Sequence, residues 1–191
     1  MSISTVKLHH AGNLSPEYAL LGFLLTNPSH GYDLHQHFLA ELGHVWHLSQ
    51  SQAYAILKRL EKRGDISAHI VTQDKLPERQ ILRITGSGRH RFMNWLEKGV
   101  SKNARAIRLE FLTRLYFARL HKPEIIKQIY EAQCAEIGTS IEHLEQLLGD
   151  LSAKQVFNRL SLDLRLRQMK LIREWMSQIN IQFITLESEI K

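Results

Sequence analysis

The sequence predicts a mostly α-helical protein with one small β-hairpin wing. Residues 1–99 form a winged helix-turn-helix domain, and residues 100–191 a second, α-helical domain. Three observations predict this. Three short amphipathic helices follow one another between Ser15 and Arg63. The hydrophobic period then shifts from about 3.6 to 2 across 66–85. Beyond Arg105 almost every apolar residue recurs at helical spacing.

Residues 1–14 read as a loose arm. Helix one opens at Ser15-Pro16-Glu17, where serine suits a cap, proline the first helical position and glutamate the first turn. Ala19, Leu20, Phe23 and Leu24 follow, and Asn27-Pro28 stops the helix. Helix two starts after Ser29, carries Tyr32, Leu34, Phe38, Leu39 and Leu42, and ends at Gly43. Helix three is the best marked. Ser49 with Gln52 three residues on makes a capping box. Ala53, Ile56, Leu57 and Leu60 form its apolar stripe, and Gly64 closes it after Lys62 and Arg63.

Residues 66–72 and 79–85 are rich in β-branched and apolar side chains, with the polar Gln73-Asp74-Lys75-Leu76-Pro77-Glu78 between them. That is a hairpin with a long tip. Thr85 caps a further helix through Phe92, Trp95 and Leu96 to Gly99. The order helix, helix, helix, strand, strand, helix is a winged helix, with helix three as the recognition helix. Residues 97–105 read as a hinge. A helix covers about 105–120, and another runs from Pro123 through Ile126, Ile129, Ile137, Ile141, Leu144 and Leu148 to Gly149-Asp150. Ser152 and Gln155 then cap a long helix carrying Val156, Leu160, Leu164, Leu171, Trp175, Ile179, Phe183, Leu186 and Ile190. Such a helix spans roughly 50 Å. Its stripe needs a partner, and a second copy of the chain is the simplest one.

Composition sets limits on function. The chain of 191 residues is 43% hydrophobic and 23% charged, an ordinary globular balance. Net charge is +6, spread evenly: 11 Lys and Arg against 8 Asp and Glu in 1–100, 14 against 11 in 101–191. Mild basicity suits nucleic acid without proving it. Cys134 is the sole cysteine, so an intrachain disulfide is impossible. The N-terminus has no apolar segment of a secretory signal. The longest apolar run, 19–25, falls far short of the roughly 20 residues of a membrane span. The expectation is a cytoplasmic protein without membrane contact.

Several segments add up to a family. His30-Gly31-Tyr32-Asp33-Leu34 opens helix two. Leu48-Ser49-Gln50-Ser51-Gln52-Ala53-Tyr54 leads to Leu57-Lys58-Arg59-Leu60-Glu61 and Gly64. Glu78-Arg79 precedes a strand ending in Ile84-Thr85, followed by Gly88-Arg89. In this order, over roughly 15–98, they resemble the PadR family of transcriptional regulators. The helical C-terminal half and Trp46 resemble the larger PadR and AphA-like members. The resemblance implies a homodimer joined through its C-terminal helices on a near-palindromic site, usually as a repressor, and in some members relief by a small aromatic effector. Ile81-Leu82, where the family often has an aromatic pair, and Ser51-Gln52, where it has a glycine, are departures.

With the stripe of helix three facing inward, Gln50, Ser51, Gln52, Tyr54, Lys58 and Arg59 lie on its outer faces, with Lys62 beyond them. Side chains near such a helix start reach base edges, and glutamine can pair with adenine. Gln52 also has a capping duty, so Gln50 is the freer reader. Tyr54 resembles the family's DNA-facing tyrosine. Lys58 lies one turn on and suits a phosphate, and Lys75 and Arg79 of the wing suit the backbone or minor groove. The same cations also read as a solvated helix end favoured by the helix dipole.

Other chemistry finds no motif. His35 and His37 face different directions, there is no HExxH or paired CxxC, and Gly86-Ser87-Gly88 lacks the ending of a phosphate loop. No catalytic residues, metal or cofactor are expected. Trp46, Trp95 and Trp175 read as core or dimer packing, or as walls of an effector pocket, with Arg105, Arg108 and Arg114 as cations for an anionic effector; its binding residues stay unknown. The competing reading is a protein-interaction module that docks partners on the winged helix and long helices. Operator, effector and the choice between repression and activation stay open.

Overall fold

The computed structural model describes residues 14–71 and 79–179, apart from the side chains of Ile70, Val71 and Arg79. The wing tip with Lys75, the N-terminal arm, and Phe183, Leu186 and Ile190 lie outside the described residues.

The N-terminal part runs α1 (Glu17–Thr26), β1 (Ser29–His30), α2 (Gly31–Leu42), α3 (Gln50–Lys62), β2 (Ile66–Val71), β3 (Arg79–Ile84) and α4 (Gly86–Lys98). The protein is thus mostly helical with a winged hairpin, as the sequence predicts. Pro16, not Ser15, is the N-cap of α1, and its ring has no donor or acceptor to offer the free N–H groups. Residues 29–30 form a strand, which short polar sequence did not signal. β1 and β2 flank β3, both antiparallel, with Ser29 opposite Leu82 and Ile66 opposite Ile84. The third strand ties the wing to the start of α2.

α3 is fixed at both ends as its sequence dictates. The Ser49 hydroxyl accepts from the Gln52 N–H at 3.3 Å, and the Gln52 carboxamide accepts from the Ser49 N–H at 3.0 Å. At the far end Gly64 takes φ +76°, which only glycine adopts without strain. Ser49→Ala is expected to cost about 1 kcal/mol, read as a lower urea midpoint at unchanged slope. Thr85 caps α4 by accepting from the Gly88 N–H at 3.1 Å.

The C-terminal part begins with one helical run: α5 (Ala104–Ala106), a π turn (Ile107–Phe111) and α6 (Leu112–His121). A 3-10 turn (Pro123–Ile125) leads to α7 (Ile126–Asp150), and α8 (Val156–Gln178) packs against it. Residues 97–105, expected as a hinge, are pinned. The Ser101 N–H donates to the Gln133 carboxamide at 2.9 Å, which donates back to the Ser101 carbonyl at 2.7 Å. The Arg114 guanidinium donates to the Gly99 carbonyl.

One core runs through both parts. Phe117 of α6 is fully buried between Phe23 and Phe92, ring centroids 5.1 and 5.5 Å away. It lies so close to α1 that a Cβ on Gly22 would sit 2.5–2.7 Å from its ring. Trp46 joins the same core, its indole N–H donating to the Thr113 hydroxyl at 2.8 Å.

The single stripe expected on α8 is two faces. Leu166, Met169 and Met176 are buried toward α7, whereas Val156, Leu160, Leu164, Leu171 and Trp175 are exposed, with Phe157 at 86%. A helix of mixed apolar pattern can bury only one side on a single neighbour. The outer side carries most of the residues read from the sequence.

Candidate nucleic-acid interface

Ala53, Ile56, Leu57 and Leu60 anchor α3 to the core. Helical geometry then leaves Gln50, Ser51, Gln52, Tyr54, Lys58 and Arg59 exposed on the other faces. Tyr54 is 45% exposed. It borders a groove of about 830 Å³ between α3, the start of α2 and β3, with Tyr32, Lys58 and Gln80 also on its walls. Gly31 makes room for this arrangement, since a Cβ there would lie 3.0 Å from the Tyr54 ring.

Tyr32, read from the sequence alongside Leu34, Phe38, Leu39 and Leu42 on α2, is 54% exposed. Counting about 100° per residue puts it roughly 200° from Leu34, on the opposite face, so helical phase was the available signal. The groove thereby acquires a second exposed phenol. The first N–H groups of α2 also receive no side-chain cap from His30, and such groups favour anions.

The six residues of α3 are not equivalent. Gln52 is occupied in the capping box, and the Ser51 hydroxyl lies 3.1 Å from that of Ser49. Arg59 donates to Glu17 at 3.4 Å and to the Ser15 hydroxyl at 3.5 Å. Among the described residues, Gln50 and Lys58 make no side-chain hydrogen bond or ion pair. Arg79 opens β3.

An ion cluster that sequence reading missed fixes the C-terminal end of α3. Glu17, only 9% exposed, receives Arg91, Arg63 at 3.2 Å and Arg59 at 3.4 Å. Asp65 receives Arg63 at 2.7 Å and Arg91 at 2.8 Å. Burial pushes the Glu17 carboxyl up, but the adjacent guanidinium of Arg91 and then that of Arg63 outweigh it and hold the group below its ordinary value. α1, α3, α4 and the start of β2 meet here.

On the other flank of α3 a cleft of about 740 Å³ separates it from the π turn. Gln52, Ala55 and Arg59 face Arg105, Arg108 and Leu109, and Trp46 forms part of its wall. Arg105 and Arg108 are exposed and have no side-chain partner among the described residues. Arg114, grouped with them on sequence, is elsewhere: it is buried with its guanidinium carbon 5.5 Å from the centre of the Trp95 ring. Trp175 stands on the outer face of α8, away from this cleft. Among the described residues no group of three or more metal-binding side chains occurs, and no helix is long and apolar enough to cross a membrane.

The chain is similar to several known proteins. The model of the Transcriptional regulator PadR-like family matches residues 20–94. The negative transcriptional regulator PadR of Bacillus subtilis is 27% identical over 137 residues, covering 70% of this chain and 75% of that one. Crystal structures of the Bacillus subtilis protein are among the similar folds. The complex with operator DNA has 24% identity and a TM-score of 0.41, covering 84% of this chain and 93% of that one. The complex with p-coumaric acid has 23% identity and a TM-score of 0.39, covering 88% and 94%.

Proposed function

We propose, from the premise that residues 20–94 are a PadR-like domain and the protein a PadR-like transcriptional regulator, that it is a homodimeric repressor of a near-palindromic operator. In this reading residues 1–99 bind DNA and residues 100–191 join the two copies and sense an effector. The carrying observation is the outer surface of α3, where Tyr54 and Lys58 stand exposed opposite a fully packed stripe, beside exposed Tyr32.

α3 enters the major groove with its N-terminal end toward the bases. Gln50, without a side-chain partner among the described residues, reads a base edge, with Ser51 and Gln52 beside it. Lys58 and the hydroxyls of Tyr54 and Tyr32 hold phosphates on either side of the groove. Arg59 reaches a phosphate only by leaving Glu17. Arg79 and Lys75 extend contact from the wing. The exposed outer face of α8 supports the dimer, which sets two α3 helices about one DNA turn apart. The cleft between α3 and the π turn supports the effector role: an aromatic wall at Trp46 and the cations Arg105 and Arg108, which have no side-chain partner among the described residues, suit a small aromatic carboxylate. The Bacillus subtilis relative binds p-coumaric acid, an acid of that kind.

A gel shift with the DNA upstream of the protein's own gene tests this. Binding is expected at low salt and should weaken steeply as salt rises. Lys58→Ala should weaken binding across sequences and lower the salt slope by about 1, whereas Gln50→Ala should relax preference at one base position. Added phenolic acid should release the DNA. Absence of any shift at low salt would refute the DNA-binding role.

A further inference from the structure

We propose that Arg114, buried at the base of the C-terminal half, is a positioning residue for the recognition helix, acting through Trp95, Tyr18 and Arg91 on the Glu17–Asp65 cluster. It rests on the reading of α3 as the DNA-contacting helix.

The contacts are continuous. Arg114 is 2% exposed, donates to the Gly99 carbonyl, and lies 3.8 Å from Glu110 in the π turn. Gly99 permits this approach, since a Cβ there would fall 2.6 Å from the guanidinium. The same guanidinium lies 5.5 Å from the centre of the Trp95 ring. Trp95 stacks on Tyr18 with centroids 4.7 Å apart and planes within 4°. Arg91 lies 4.9 Å from the Tyr18 ring centre and joins Glu17 and Asp65, which hold Arg59 in the last turn of α3 and Arg63 at its C-cap.

A plain core arginine would not need this arrangement. Burying a guanidinium is costly unless it is paired and hydrogen-bonded, and among the described residues Arg114 has one carboxylate at long range and an Nε with no partner. An apolar side chain would fill such a site more cheaply. What only a cation can do here is hold the indole face of Trp95 while gripping the connection at Gly99. A shift of the π turn, which also walls the cleft, then moves Trp95 and Tyr18, and with them Arg91 and its two carboxylates. Arg91 thus reports the position of the C-terminal half to the last turn of α3.

The test uses the full-length dimer. Arg114→Met, close in volume but uncharged, should lower operator affinity about tenfold with the dimer and a cooperative melt retained, and should make the salt slope shallower. Arg114→Lys, which keeps a cation on Trp95, should stay within about threefold of wild type. Trp95→Leu should give the loss seen with Arg114→Met, and the double variant no further loss, because both interrupt one chain of contacts. Without DNA, amide exchange in the last turn of α3 should quicken in Arg114→Met. Should Arg114→Met fail to melt cooperatively, Tyr18→Leu and Trp95→Leu, singly and together, serve as the same cycle. Unchanged affinity per folded dimer, or losses that simply add, overturns the proposal. A wild type that binds no DNA would refute the underlying reading instead, and amide exchange would then decide the positioning role alone.

Discussion

Leu164→Glu is expected to break the proposed dimer and to cut operator affinity by on the order of 100-fold or more. Leu164 is 57% exposed near the middle of the outer face of α8, with Phe157 and Leu160 on one side and Leu171 and Trp175 on the other. A carboxylate there adds no strain to one chain, because the residues that hold α8 to α7 lie on the opposite side. In a helix-to-helix seam it is stripped of water without a partner, at a cost of several kcal/mol. Once the copies separate, each winged helix must find its half-site alone. Sedimentation equilibrium and gel shifts on full and half operators read both effects, and Leu164→Met should behave as wild type. A variant that stays dimeric and binds the full site normally would move the interface elsewhere.

Glu17→Ala should have the second-largest effect. It strips α1 of its bonds to Arg91, Arg63 and Arg59 and leaves Asp65 as the remaining acid among those arginines. Hydrogen bonds to charged groups contribute about 1.5–3 kcal/mol each at most. Arg63 and Arg59 are 40% and 52% exposed, so water screens their share. A loss of about 2–3 kcal/mol is the expected net. It should depend on pH in one direction. The folded carboxyl titrates below its ordinary value, so its contribution is complete above the ordinary carboxylate range and disappears as pH falls through the folded value. Urea midpoints of wild type and variant should therefore differ most near neutral pH and converge as the pH falls below the ordinary carboxylate range. A gap that is absent at pH 7, or that widens in acid, would show that the cluster does not stabilise the fold.

Local chemistry made much of this molecule legible. Ser49 with Gln52 marks the start of α3, Gly64 marks its end, and Thr85 marks α4; each acts within a few residues, so a linear reading finds it. The same holds for the stripe from Ala53 to Leu60, which by exclusion exposes Tyr54 and Lys58. What escaped is what folding brings together from afar. Glu17, Arg63, Asp65 and Arg91 form one cluster across 74 residues, and nothing near Glu17 distinguishes it from an ordinary first-turn acid. Arg114 looked like its neighbours Arg105 and Arg108, yet the π turn and helical phase carry it inward while they stay at the cleft. On α8 the apolar residues fill more than half the circumference, so periodicity showed that the helix has partners but not which residues face which. The strand at Ser29–His30 was too short to carry a pattern.

Phe117 has a consequence for anyone wishing to re-address this protein to a new signal. The obvious cut for a chimera lies at Gly99, the residue that ends α4. Cutting there would withdraw the ring that fills the space beside Gly22 and covers Phe23 and Phe92, leaving a wet hole in the part meant to be portable. A graft must carry α6 with it, and the foreign half must begin after His121.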